Sequence, residues 1–525
     1  MDNNTNQQVI NEEVIEERMK RFDKYLEHSG MDKKQYQYDG VKWCLQNELF
    51  PINLLDIKTK KDTKKKLDTI STANLYVKGG FVADEMGLGK TITMIGLMFC
   101  NYVKNTLIVL PPILIEQWNK QIQKTTGHNP LIYYGANKKK YTLEDLQNAP
   151  IVITSYGAIT ITKKTLQNIK DFPNSITDLH KIHWSRIIFD EAHHLRNSNT
   201  RFKSVKLLRS NIRWLVSGTP IQNSKRDFKN LCSILTIPTG LLRIETLPLI
   251  SQKYVLKRTK KQVGIEIPDA FNYKTIIGWK NEKEKELSEE LHSWLNCGKV
   301  PPRKNNKYLC SLLYSDKGPL PIYVRSRQLC ILPSLMNNAI NDLEYFCKMM
   351  GYDEKAMGSV GIDNYKEALK HSSKMDAVIN KILENKDNNN GKIVFCHFKE
   401  EIDMVEKRLL EGGIERIAKF DGRVNGAQRN DILNEKNDVL ILQIQTGCEG
   451  LNLQENYSEI YFISPHWNPA VEEQAIARCH RIGQKKEVAV YRFEMGNFVE
   501  DLRTIDNYVG DVQINKKAIA NEIIA

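Results

Sequence analysis

Short β-branched runs, separated by segments able to form helices, recur along this chain, and they do so twice. The first series is "GGFVAD" ending at Asp84, "TLIVL" (Thr106 to Leu110), "IVITS" (Ile151 to Ser155), "RIIFD" (Arg186 to Asp190) and "WLVSG" (Trp214 to Gly218). After Gly391 the rhythm returns in "KIVFCH", "RIAKF", "VLILQ", "EIYFIS" and "VAVYRF", the last ending at Phe493. Continuous apolar strands alternating with helices indicate parallel sheets covered on both faces. At 525 residues the chain exceeds one ordinary core, and the expectation is an α/β protein of two tandem lobes. Residues 31–264 form the first lobe and 391–525 the second. The stretch 265–390, polar with patchy helical patterning, reads as helical insertions and linker. Residues 1–30 read as an acid-rich helix or tail that packs little. The lysine-dense segment between Leu55 and Thr72 reads as a surface loop.

The loop after the first strand reads "DEMGLGKT" (Asp84 to Thr91). It ends as a phosphate-binding loop should, but Asp84 stands where the usual G-x-x-x-x-G-K-[ST] pattern has its first glycine. A turn containing Gly87 and Gly89 at the start of a helix exposes backbone N–H groups to phosphate oxygens. Lys90 can reach the β- and γ-phosphates, and the Thr91 hydroxyl suits Mg²⁺. Asp190 and Glu191 of "IIFDEAHHLRN" fall where a buried strand ends, on the same sheet edge. An Asp there can hold Mg²⁺ through water, and the adjacent Glu can orient and deprotonate the attacking water.

A net charge of +13 and a pI near 9.0 favour a polyanionic partner. The ten cysteines include no C-x-x-C pair, which argues against a zinc ribbon or a disulfide framework. Reduced thiols suit an intracellular setting, the nucleus or a viral factory or virion, and no run is apolar enough to cross a bilayer.

The pairing of "DEMGLGKT" with "DEAHHLRN" resembles the helicase superfamily-two ATPases, whose first motif tolerates a non-glycine at the Asp84 position. The resemblance narrows to the SWI/SNF-like translocases of double-stranded DNA, and it runs from about Lys33 to Phe493. "YQYDGVKW" is similar to that family's adenine-reading segment, with Gln37 the matching residue. "VLPPILIEQW" resembles motif Ia, "LVSGTPIQN" motif III, "YVLKRTKKQV" the basic signature closing lobe one and "RQLCILP" a looser signature opening lobe two. "GCEGLNL" resembles motif V, including Gly450 as a nucleotide contact, and "EEQAIARCHRIGQ" (Glu472 to Gln484) resembles motif VI.

The resemblance implies two RecA-like lobes, ATP and Mg²⁺ as cofactors and double-stranded DNA as partner. Nucleosomes, other DNA-bound proteins or an RNA polymerase would be the cargo of a monomeric motor with no membrane role. Arg478 and Arg481 of "ARCHR", on one face if the segment is helical, would answer the charge that hydrolysis builds on the γ-phosphoryl oxygens. Duplex DNA would lie across both lobes, opposite the phosphate loop. Its phosphates would be gripped by Pro111 and Gln117, Ser155 and Tyr156, Lys257 and Arg258, and Thr446 with Asn452. His193, Ser217, Thr219 and Gln474 would couple nucleotide state to DNA contact. Trp118 and Trp467 read as core residues rather than base-stacking platforms. His193, His194, His397 and His480 come from separate motifs and lack metal-ligand spacing.

Two departures stand out. The family usually carries an acid before "P-x-W-N-P", and here Ser464 occupies that place, which puts the contacts around Trp467 in doubt. Motif V carries Cys448 and Glu449, and Glu449 is expected to point away from DNA phosphate. Three other readings stand beside this one. A strand-separating DNA or RNA helicase fits "DEAH" but not "ARCHRIGQ". A viral transcription-termination ATPase fits the AT-biased composition. A non-hydrolysing DNA-binding scaffold conflicts with intact Lys90, Glu191, Arg478 and Arg481.

Overall fold

The computed structural model describes residues 2–51, 53–54, 76–168, 176–296, 320–350, 361–424, 432, 435–445, 451–498 and 502–524. The chain divides into two compact units, Met1–Glu266 with Lys516–Ala525, and Ile267–Asn515.

Unit one is built on a seven-stranded sheet in the order β3-β4-β2-β5-β6-β1-β7. The strands are β1 (Gly79–Val82), β2 (Thr106–Leu110), β3 (Leu131–Tyr133), β4 (Ile151–Ser155), β5 (His183–Asp190), β6 (Arg209–Val216) and β7 (Val255–Leu256). All neighbours pair in parallel. Both faces are covered, which is why the strands read as unbroken apolar runs. Ile187 and Phe189 of β5 enter one core with Trp184 and Leu215, while Ile188 between them enters the other with Ile108 and Trp214. Because the strands are parallel, the turns after β1, β2, β4, β5 and β6 emerge at one carboxyl edge, where ligands of open α/β sheets bind.

Among the helices that complete the second core are α1 (Asp2–Ser29), α2 (Gln35–Leu49) and α3 (Lys90–Cys100). The N-terminal segment therefore differs from the expected loose tail. Ile15, Met19, Phe22 and Leu26 recur at helical spacing and are buried. Phe22 lies so close to α3 that a Cβ on Gly96 would stand 2.4 Å from its ring. Glu48, near the end of α2, is buried and meets Arg186 of β5 at 2.6 and 2.5 Å, and it accepts from the Trp214 indole at 2.8 Å.

Unit two has a six-stranded parallel sheet in the order β10-β11-β9-β12-β13-β8. Its strands are β8 (Ala270–Ile277), β9 (Gly391–Cys396), β10 (Ile417–Phe420), β11 (Val439–Gln443), β12 (Tyr457–Phe462) and β13 (Val488–Met495). β8 corrects the expectation of purely helical insertion over 265–390, since it is an edge strand paired over eight residues with β13. A helical cluster does follow it, with Leu287, Leu291, Leu343 and Tyr365 in a core of its own.

The helix Ile505–Ile523 begins in the core of unit two, through Ile505 and Val509. The chain's last residues join unit one, where Ile523 and Ile524 are buried, Glu522 pairs with Lys225, and the Ile524 carbonyl accepts from Lys257. The second lobe thus ends short of the expected 525. The lysine-dense segment lies outside the described residues. Among the described residues, no helix is long and apolar enough to cross a membrane.

Candidate nucleotide site and DNA-facing edge

The phosphate-loop candidate leaves β1 at the centre of the carboxyl edge. Gly87 and Gly89 adopt φ of 92° and 78°, in the left-handed region that favours glycine. Gly89 is the N-cap of α3 and no side chain caps that helix, and a helix N-terminus of this kind favours an anion. Lys90 Nζ donates to the carbonyls of Asp84 at 2.9 Å and Glu85 at 3.4 Å, curled within its own loop. A Cβ on Gly89 would stand 2.4 Å from Gln37 Nε2, so the adenine-reading candidate packs on the loop itself. Gln37 is buried and its Nε2 lies 3.4 Å from the Leu88 carbonyl. Thr91 is the second residue of α3.

Asp84 explains the non-glycine in the loop. It is buried and grips Arg258, accepting from the backbone N at 3.0 Å, from Nε at 3.1 Å and from a terminal nitrogen at 2.5 Å. Arg258 also donates to the Tyr36 carbonyl at 2.5 Å. One guanidinium therefore ties the phosphate loop to the start of α2. Three of its five guanidinium N–H groups are engaged there, so Arg258, expected as a DNA contact, also serves as a tie within the nucleotide site. Lys257 beside it reaches the Ile524 carbonyl at 2.8 Å.

At the end of β5, Asp190 is buried and Glu191 takes a φ of 48°. Desolvation first, and then the neighbouring Glu191, raise the Asp190 carboxyl to about 6. Its Oδ1 accepts from the Glu191 N–H at 2.9 Å. Its Oδ2 accepts from the Trp118 indole at 2.7 Å, and its main-chain carbonyl accepts from the Tyr156 hydroxyl at 2.7 Å. His193 Nδ1 lies 3.2 Å from Glu191 Oε2 and 3.3 Å from Ser217 Oγ, so one imidazole faces both the acid pair and the turn after β6. His193 stacks on His194 with ring centres 4.6 Å apart. Ser217 Oγ accepts from the Thr219 N–H, and Thr219 Oγ1 from Gln222. A Cβ on Gly218 would stand 3.5 Å from Lys90 Nζ, which brings this turn to the phosphate loop.

The DNA-contact candidates separate into two groups. Gln117 is exposed on the helix α4 (Ile115–Thr126). Pro111 is buried and its carbonyl accepts from Leu114. Ser155 is buried and caps the turn Tyr156–Ile159 by accepting from the Ala158 N–H. Tyr156 points inward to Asp190. Ser155 and Tyr156, expected as phosphate contacts, thus also shape this edge.

In unit two, the helix Pro469–Ile476 stops before the arginines, so Arg478 and Arg481 sit on the turns after it and not on a helical face. Desolvation first, and then the charge of Arg478, lower the pKa of Arg481. Arg481 donates to the Asn452 side chain. Gln474 is buried, and His480 Nε2 meets the Pro268 carbonyl at 2.9 Å. Thr446, Cys448, Glu449 and Gly450 of motif V lie outside the described residues. Trp467 sits in a cluster with Tyr323 and Tyr508, with Arg327 over its ring at 5.2 Å. His397 is held well below its usual pKa by burial, then by Arg327 and His466.

The missing acid at Ser464 is made good from another element. Ser464 Oγ donates to Asp506 Oδ1 at 2.9 Å, while Asp506 Oδ2 receives Lys374 at 2.6 Å and the Met495 N–H at 2.9 Å. Nothing local in "ISPHWNP" points to Asp506, forty-two residues on. The Trp118 and Tyr156 bonds were more accessible to sequence reasoning, because a buried indole N–H or phenol needs a partner.

Two family models match the chain: an SNF2-related domain over residues 36–241 and a helicase conserved C-terminal domain over 373–483. The chain therefore carries an SNF2-related domain and a helicase conserved C-terminal domain, the pair expected from its resemblance to the SWI/SNF-like ATPases. It is 27% identical over 509 residues to an uncharacterized ATP-dependent helicase of Mycoplasma genitalium, covering 90% of this chain and 42% of that protein. It is 24% identical to the DNA repair protein RAD5B of Arabidopsis thaliana, covering 82% and 44%, and 24% identical to the human TATA-binding protein-associated factor 172, covering 93% and 29%. The chain thus spans less than half the length of these curated relatives, which lend no support to a viral origin. The SWI2/SNF2 ATPase core of Sulfolobus solfataricus, solved in complex with dsDNA, is 20% identical over 94% of this chain and 96% of that one. Its TM-score of 0.36 adds nothing to what the two sheets already show.

Proposed function

We propose that this protein hydrolyses Mg²⁺-ATP and uses the cycle to move along double-stranded DNA, displacing or shifting what is bound there. The observation that carries the reading is His193, within 3.3 Å of both Glu191 and Ser217, which links the water-activating acid to motif III. The donor set fits the substrate: uncapped α3 amides and Lys90 for phosphate, and Thr91 with Asp190 for Mg²⁺. Bound Mg²⁺ would screen the phosphate charge and hold the terminal phosphates in place.

Lys90 would exchange its loop carbonyls for phosphate oxygens. Glu191 would orient the attacking water and take its proton. Arg478 and Arg481, which belong to unit two, would answer the charge that grows on the transferred group. Gln117 and Lys257 in unit one and Asn452 in unit two would be among the phosphate contacts, and Gln474, buried in unit two, would help couple them to the nucleotide. The bound protein would be a nucleosome, another DNA-bound factor or a stalled RNA polymerase, and the motor a monomer. The free cysteines among the described residues are all buried, which suits a reducing compartment such as the nucleus.

Steady-state ATP hydrolysis tests this, without nucleic acid and then with linear duplex DNA, single-stranded DNA and structured RNA. Stimulation chiefly by the duplex is expected. Stimulation chiefly by single strands or RNA would instead support a strand-separating helicase.

A further inference from the structure

Asp190 is held from outside its own strand by two donors, and both come from the segments that follow β2 and β4. The Trp118 indole meets its Oδ2 at 2.7 Å, and the Tyr156 hydroxyl meets its main-chain carbonyl at 2.7 Å. Trp118 sits on α4 next to exposed Gln117, and Tyr156 follows the end of β4 next to Ser155. Both aromatic residues are almost fully buried, at 1% and 3% exposure, so neither is available to stack on a base. With Oδ1 accepting from Glu191 N, side chain and carbonyl of Asp190 are both fixed by named groups.

Hydrogen bonds to a carboxylate or a buried carbonyl hold their partners within a few tenths of an ångström, and the loss of one is felt strongly in a buried site. A small shift of α4 or of the turn after β4 would therefore be passed to the acid that the proposed reaction uses for Mg²⁺, and to Glu191 next to it.

We propose that Trp118 and Tyr156 are positioning residues through which duplex DNA, held on α4 and the β4 turn, sets the Mg²⁺-nucleotide site. The inference rests on the proposed function and names its regulation. Thermodynamic linkage makes the effect reciprocal, so DNA alters nucleotide affinity by the factor by which nucleotide alters DNA affinity.

The test uses the full chain and two conservative variants, Trp118→Phe and Tyr156→Phe. Each keeps the aromatic ring and deletes the donor. Affinity for a non-hydrolysable ATP analogue with Mg²⁺ is measured by calorimetry, with and without linear duplex DNA, and DNA affinity is measured with and without the analogue. In the parent, DNA should change analogue affinity severalfold. In either variant that factor should fall toward one, equally in both directions of the cycle. A role confined to packing would lower the melting temperature and leave the ratio of the two affinities unchanged. An unchanged ratio in both variants, with the parent coupled, overturns this inference while the proposed function stands. A parent in which DNA and nucleotide do not affect one another overturns both. Should Trp118→Phe fail to fold, Tyr156→Phe, which lacks one hydroxyl, decides the matter.

Discussion

Glu191 keeps a φ of 48° although it is not glycine, and such a backbone costs on the order of 1 kcal/mol or more. Its surroundings hold it there: Asp190 Oδ1 accepts its N–H, and His193 stands 3.2 Å from its Oε2. The arrangement makes sense if the carboxylate must face a particular water. Glu191→Gln should bind ATP as tightly as the parent and lose most turnover, which equilibrium binding and steady-state rates would show together. Arg481→Ala should cut turnover by about 10³-fold or more, the size of effect that a transition-state arginine carries. A rate within a factor of a few of the parent would leave Arg481 as the partner of Asn452 and nothing more. Glu48 has a structural role of comparable weight. Removing it as Glu48→Ala strands Arg186 without its carboxylate in the core, and unit one should lose about 3–5 kcal/mol in denaturant melts.

At the scale of elements, legibility followed burial. β2, β5, β9 and β12 were plain in the sequence because parallel strands buried on both faces are apolar throughout. β8 was hidden because six of its eight residues, Phe271 to Ile276, are exposed, so no apolar run announces it. α1 was hidden for the opposite reason: its Ile15, Met19, Phe22 and Leu26 are spaced correctly, but the charged residues of both signs between them mask the stripe. The nucleotide loop, the acid pair and motif III were legible as contiguous words. Arg258 with Asp84, and Asp506 with Ser464, were not, since each pair joins segments far apart in the chain. Lobe two also contains an element whose stability should depend on pH. Glu401, at the start of the helix Lys399–Glu411, is raised from 4.5 to about 7 by burial, against the pull of the Phe398 and His397 N–H groups and of Lys374 and Arg327. A carboxyl raised in the folded state contributes its full stability below the unfolded pKa of 4.5, and that contribution is lost as pH rises through 7. The loss should approach about 3 kcal/mol by pH 8. Glu401→Gln should flatten the dependence, as denaturant midpoints at pH 5 and pH 8 would reveal.

For the whole molecule, the net charge of +13 predicts that DNA-stimulated hydrolysis falls steeply between low and physiological salt. The nucleotide-only rate should change little over the same range. A different property follows from the path of the chain. It passes from unit one to unit two at Glu266–Ile267 and returns at Asn515–Lys516, and the returning segment is anchored by buried Ile523 and Ile524. The units are therefore joined in the manner of a closed loop, with two covalent crossings instead of one. A protease that cuts only near residue 266 should give two bands on a denaturing gel and a single peak on a sizing column. Release of either piece would require a second cut, or loss of the apolar grip on Ile523 and Ile524. Damage to one crossing would leave a nicked protein that still travels as one particle.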